Sequence, residues 1–91
     1  MLDSLTDCGG GDGTTARSII KAYPHIKCTV LDLPKVIDKA PADGVINYVA
    51  GDLFHSIPPS QAVMLKVDIE TIQHRRLIFC FRNHKLNFFG A

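Results

Sequence analysis

The sequence lacks any long hydrophobic run. Its longest unbroken apolar stretch, Leu77 to Phe81, is five residues, far below the ~20 that span a bilayer, so no membrane partner is expected. No secretory leader is expected either, because Asp3 and Asp7 interrupt the place where an apolar core would stand. Cysteine is scarce and odd in number: Cys8, Cys28 and Cys80 form no CxxC pair. That excludes a disulfide framework, points to a reducing, cytoplasmic setting, and leaves the three thiols as small buried hydrophobes. His25, His55, His74 and His84 show no zinc-ligand spacing with them or with each other, so no metal is expected. Repeats and linkers are missing too. What remains, 91 residues with 46% hydrophobic and 21% charged, has the composition of one small globular domain and not of a disordered or collagen-like chain.

Acidic residues are absent from the last part of the chain. Residues 1–70 carry six Lys/Arg and all nine acids, a balance of −3, whereas residues 71–91 carry Arg75, Arg76, Arg82 and Lys85 alone, a balance of +4. The periodicity changes at the same place. Before it, strands and helices alternate. Leu5–Cys8 is a short strand that runs into Gly9-Gly10-Gly11-Asp12-Gly13. Ala16, Ile19, Ile20 and Tyr23 then form one helical stripe at i, i+3, i+4 and i+7, with Asp12 or Thr14 as cap and Pro24 as terminator. Lys27–Leu33, Val45–Ala50 and Ala62–Val67 read as three further strands, with a short helix from Pro34 to about Lys39. Strand, glycine loop, helix, strand is the βαβ unit of a parallel sheet with flanking helices. Beyond Asp68 no regular period continues, although Ile69 and Ile72 allow a helix start.

A glycine cluster between a strand and a helix lets a ligand approach the backbone closely, with no Cβ in the way. The spacing narrows the choice. The dinucleotide fingerprint GxGxxG started at Gly9 meets Thr14 where it needs glycine, and started at Gly11 it meets Ala16. Gly9-x-Gly11-x-Gly13 instead fits the GxGxG cradle for S-adenosylmethionine (SAM) in Rossmann-like methyltransferases. Alone, the loop is equally consistent with a plain glycine-rich turn. Asp32 lies 23 residues after Gly9 at the end of the second predicted strand. There a carboxylate can accept hydrogen bonds from both ribose hydroxyls, or simply form the turn before Leu33-Pro34. Asp52 repeats the arrangement after the third strand, facing an adenine amino group or serving as a loop acid, with Leu53 and Phe54 as apolar walls.

Asp7-Cys8-Gly9-Gly10-Gly11-Asp12-Gly13-Thr14, Pro24-His25-Ile26-Lys27-Cys28-Thr29-Val30-Leu31-Asp32-Leu33-Pro34, and Gly51-Asp52-Leu53-Phe54 with Ile57-Pro58-Pro59 and Leu65-Lys66 resemble the metal-independent plant O-methyltransferases of the caffeate and flavonoid type. The resemblance covers roughly residues 2–66. It implies a partial Rossmann-like SAM-dependent methyltransferase fold with about four parallel strands, ordered 3-2-1-4. It implies methyl transfer from SAM to a hydroxyl of a small phenolic acceptor, within an enzyme that is a homodimer. Together with the loop reading, it places Gly9, Gly11, Gly13, Asp32, Asp52, Leu53, Phe54 and Lys66 at the cofactor, Lys66 being otherwise a solvated strand-end lysine.

The resemblance fails after Lys66. The family follows its Leu-Lys pair with a Trp and then a His-Asp-Trp segment whose histidine is the general base. This chain has no tryptophan, and Glu70 occupies the histidine's position. An ordinary Glu, with a pKa about two units below that of His, is the weaker base. His74 is four residues out of register. No intact catalytic residue is therefore expected, and no counterpart of the family's N-terminal dimerisation region or last sheet strands is expected in these residues. The chain reads as a truncated member: residues 1–67 as the SAM-binding part and 68–91 as an atypical basic tail, with strand four left at a sheet edge. Three functions compete: methyl transfer, SAM or partner binding without catalysis, and nucleic-acid binding by the tail through Phe79, Phe81, Phe88 and Phe89. Four positive charges are few for the last, and an unstructured basic extension is the simpler expectation, so no nucleic-acid partner is expected.

Overall fold

Alternating apolar and β-branched residues build the strands, and the breaks fall at glycine and proline. A computed structural model describes residues 2–69, 75–82 and 85–90, with side chains through residue 65. In chain order the elements are β1 (Ser4–Cys8), α1 (Thr14–Ala22), β2 (Lys27–Asp32), α2 (Pro34–Ile37), β3 (Asn47–Ala50), β4 (Ala62–Ile69), β5 (Arg75–Arg82) and β6 (Lys85–Gly90). They form one sheet in the order β3-β2-β1-β4-β5-β6. The first four strands are parallel, in the order implied by the resemblance.

The register explains the core. Leu5 pairs with Cys28 on one side and Ala62 on the other, and Asp7 with Val30 and Met64. One sheet face therefore presents Leu5, Cys28, Val30, Ala62 and Met64, which cluster with Ala16 of α1 and with Ile26 and Ile46. Ile19 and Ile20 pack on this cluster as the helical stripe predicts, but Tyr23 does not: it is 56% exposed. The helix has already ended there. Tyr23 is the C-cap with φ −134°, which turns its side chain off the stripe, and its ring meets His25 edge-on at 6.4 Å. At the other end the N-cap is Gly13, which has no side chain to cap with; the Asp12 carboxylate, one residue earlier, accepts the Thr14 N–H at 3.1 Å and the Thr14 hydroxyl at 2.7 Å.

Two expectations about the second half change. Strand four is not an edge, and the tail is not an unstructured extension. β4 runs on to Ile69, so that residue ends a strand and starts no helix, and β5 pairs antiparallel with it from Ala62↔Arg82 to Ile69↔Arg75. β6 then pairs antiparallel with β5 from Leu77↔Gly90 to Arg82↔Lys85. The physical reason is proximity. An antiparallel partner needs only a short connection, whereas a parallel one needs a crossover of a dozen residues or more. Leu77–Phe81 and Leu86–Phe89 supply the apolar and aromatic residues that favour strands. Glu70, Ile72, His74 and His84 lie outside the described residues. Among the described residues no helix is long and apolar enough to cross a membrane.

Cys8 and Cys28 are buried in the parallel half, at 1% and 4% exposure, and neither is bonded to another cysteine. Burial pushes both thiols above the ordinary cysteine range, and the nearby Asp7 carboxylate pushes them further. A raised thiol pKa favours the protonated, folded state, so this contribution is fully present at neutral pH. It is lost as pH rises above about 8.5, where the unfolded thiols ionise first. Both residues should therefore resist iodoacetamide at pH 7.5 in native buffer and react in urea. Rapid native labelling of either, read by peptide mass spectrometry, would contradict the packing described.

Candidate functional site

The carboxyl ends of β1, β2 and β3 meet at one edge of the sheet, where open α/β sheets bind ligands. Two backbone hydrogen bonds hold that edge together: Gly9 N–H to Leu31 C=O at 2.7 Å, and Gly51 N–H to Asp32 C=O at 2.9 Å. Gly9, Asp32, Asp52, Leu53 and Phe54 line a single cavity of about 220 Å³ here, completed by Leu31, Leu33 and Gly51. A larger hollow of about 500 Å³, by Ile20, Pro24, Lys27 and Val45, lies at the amino ends of β2 and β3 and has no acid in its lining. Size therefore favours one hollow and chemistry the other.

Asp32 makes two backbone contacts. Its Oδ2 accepts the Gly11 N–H at 2.9 Å and its Oδ1 accepts the Leu33 N–H at 2.7 Å. The turn-forming reading is thus realised. A carboxylate has about four lone-pair sites, so each oxygen keeps one for a ligand. Asp52 accepts the Phe54 N–H through Oδ1 at 2.9 Å, while Ser56 and His55 donate to its carbonyl. That turn brings Leu53 and Phe54 to the cavity, and Phe54 is 90% exposed there.

The glycine loop acts by shape more than by its amides. The Gly9 N–H goes to Leu31, the Gly11 N–H to Asp32, and the Gly13 N–H to Gly10 C=O at 3.1 Å. A phosphate cradle needs such groups turned toward the ligand. In addition, the Asp12 carboxylate stands at the amino end of α1, and its bonds to Thr14 hold it below the usual carboxylate range. A negative charge there disfavours a phosphate. A Cβ added at Gly9 or Gly11 would meet nothing within 4 Å, so the space beside them is open to a ligand. Gly13 is different: a Cβ there would lie 2.6 Å from the Tyr48 hydroxyl and 2.7 Å from Ile46 Cδ1. Gly11 and Gly13 do not line the cavity. Lys66 lies in β4 opposite Ile78, and its side chain, like Glu70, lies outside what is described.

Sequence reasoning missed Asp7 and Tyr48. Asp7 is 0% exposed in β1, and its carboxyl group packs where a Cβ on Gly10 would stand. Its only sequence signal is an acid near the end of a strand before a glycine loop. Tyr48 lies in β3, separated by β2 from the strand that leads into the loop whose Asp12 carbonyl it holds, and nothing local marks it. Among the described residues no three His, Cys, Asp or Glu side chains gather as for a metal ion.

Comparison with known proteins agrees with this architecture. A profile of the O-methyltransferase domain matches residues 1–75. The chain is 60% identical over 81 residues to daphnetin O-methyltransferase 1 of rye, Secale cereale, covering 89% of this chain and 22% of that protein. It is 65% identical over 66 residues to a flavonoid O-methyltransferase-like protein of rice, covering 72% of this chain and 18% of that protein. The chain thus spans about a fifth of the length of these relatives. Among solved structures, the mitomycin 7-O-methyltransferase MmcR superposes with a TM-score of 0.63 at 16% identity, covering 77% of this chain and 32% of that one. Human N-acetylserotonin methyltransferase, solved with SAM, superposes with a TM-score of 0.54 at 17% identity, covering 80% and 32%. These likenesses show the Rossmann-like methyltransferase fold, and an open, phosphate-averse cradle beside two acids fits its cofactor SAM. With residues 1–75, most of this chain, matching the domain profile, the chain belongs to the plant SAM-dependent O-methyltransferase family.

Proposed function

We propose that this chain forms the SAM-binding part of an enzyme that transfers a methyl group to a hydroxyl of a small phenolic acceptor, with residues 1–67 holding the cofactor. One observation carries the proposal: Gly9, Asp32, Asp52, Leu53 and Phe54, from three separate strand ends, line one cavity. SAM supplies an electrophilic methyl group on a sulfonium. In this reading Asp32 accepts the ribose hydroxyls, Asp52 receives the adenine amino group, and Leu53 and Phe54 flank the base. Gly9 and Gly11 leave the cofactor room beside the backbone. Lys66 is assigned to the edge of the same site. The acceptor's phenolic proton must leave as its oxygen is methylated. Glu70, at the family's histidine position, is the weaker base at neutral pH, so cofactor binding without turnover is the second reading.

Calorimetric titration of the purified chain with SAM tests the proposal. Saturable one-to-one binding is expected, together with a rise in melting temperature on adding SAM. A folded chain that shows neither at millimolar SAM would refute it. Methyl transfer to caffeate-like phenols by the same sample, with a Glu70→Ala control, then separates an active site from a binding one.

A further inference from the structure

We infer that Tyr48 is a positioning residue that holds the glycine loop in its cofactor-ready conformation; this rests on the proposed SAM site. The loop joins β1 to α1 through three glycines with left-handed φ, +74° at Gly9, +61° at Gly11 and +87° at Gly13. A segment so rich in glycine loses much conformational freedom when it orders, and something must hold it. On the cavity side Asp32 does so, through Gly11. On the far side Tyr48 does. Its hydroxyl donates to the Asp12 carbonyl at 2.6 Å and accepts from Arg17 Nη2 at 3.1 Å. Arg17 in turn is ion-paired to Asp43, in the segment that leads into β3. The phenol thereby links β3, α1 and the loop at one oxygen.

Gly13 shows how closely the parts are matched. The Tyr48 oxygen stands 2.6 Å from where a Cβ on Gly13 would be, so the hydroxyl reaches Asp12 only because residue 13 has no side chain. The contact acts on the loop backbone and not on the cavity: Tyr48 is absent from the lining. Its effect on a cofactor would be preorganisation, a smaller ordering loss on binding. Its bond to Asp12 is exposed and its bond from Arg17 half-buried, so water can replace them and the fold does not depend on them.

Tyr48→Phe in the full chain is the test, since it removes one oxygen and keeps the ring on the core. SAM affinity by calorimetry should fall about 3- to 10-fold, with the melting temperature within a few degrees of wild type. Amide exchange in the absence of SAM should quicken at Asp12–Thr14 and stay unchanged in β1. Ile26→Val, a core truncation matched in stability loss, should alter neither the affinity nor the loop exchange. Affinity within twofold of wild type, or loop exchange that is unaltered, overturns the inference. If wild-type protein fails to bind SAM, the proposed function falls, and loop exchange in the variant still decides whether Tyr48 holds the loop.

Discussion

Asp32→Ala is expected to weaken SAM binding by ~100-fold or more, because the two ribose hydrogen bonds proposed for its carboxylate are each worth about 1.5–3 kcal/mol. The substitution also releases the Gly11 N–H, whose partner is Asp32 Oδ2, so the loop loses its cavity-side support at the same time. Asp32→Asn separates these effects. The amide keeps an acceptor and the size of the side chain but not the charge, so a loss of about tenfold is expected. The affinity order should run Asp, Asn, Ala. Titration calorimetry on the three proteins, with circular dichroism to confirm folding, reads the order directly. An Asp32→Ala chain that is folded and binds SAM like wild type would leave Asp32 as a turn residue only, bonded to Leu33 and Gly11, and would move the cofactor elsewhere.

Gly10→Ala is expected to be more destabilising than Gly11→Ala, at about 2–3 kcal/mol, although Gly10 has no left-handed φ. A Cβ there would stand 2.8 Å from Asp7 Oδ2, 2.9 Å from Asp7 Cγ and 3.0 Å from Val30 Cγ1. Neither neighbour has room to retreat, since Asp7 and Val30 are both 0% exposed. For a domain of this size the loss corresponds to a fall in melting temperature of roughly 10–20 °C. Gly11→Ala meets no atom within 4 Å, and its cost comes only from a φ of +61°, about 1 kcal/mol. Thermal unfolding of the two variants should therefore rank them against the usual expectation from backbone angles. If Gly11→Ala proved the worse, strain at φ and not the close approach of Asp7 would govern this loop.

Much of the parallel half is legible in local patterns. The stripe of Ala16, Ile19 and Ile20 indicates α1, the breaks at Pro24, Pro34 and Pro58-Pro59 bound the elements, and the strand-end acids Asp32 and Asp52 mark the cavity. These signals are short-range: each depends on residues within one element or one turn. Tyr23 shows the limit even there, because helix periodicity extends past the residue at which the backbone leaves the helix. The tail shows it more plainly. Leu77–Phe81 has no helical period and no polar alternation, so nothing within it names a partner. Its pairing with β4 over eight residues exists only because β4 offers an edge.

Glycine, proline and apolar spacing in the sequence by itself determined the fold class, because they act locally, and the resemblance of its motifs implied the family and the order of the first strands. Only the tertiary structure decided which glycines face open space and which face a neighbour. Gly10 and Gly13 look like Gly9 and Gly11 along the chain, yet Asp7 and Tyr48 fill the places their Cβ atoms would take. It alone decided, too, that the loop amides turn inward to Leu31, Asp32 and Gly10, and that Tyr48, 36 residues from Asp12, closes the loop from behind. Such contacts join residues distant in sequence through the stacking of strands, and no local pattern encodes them.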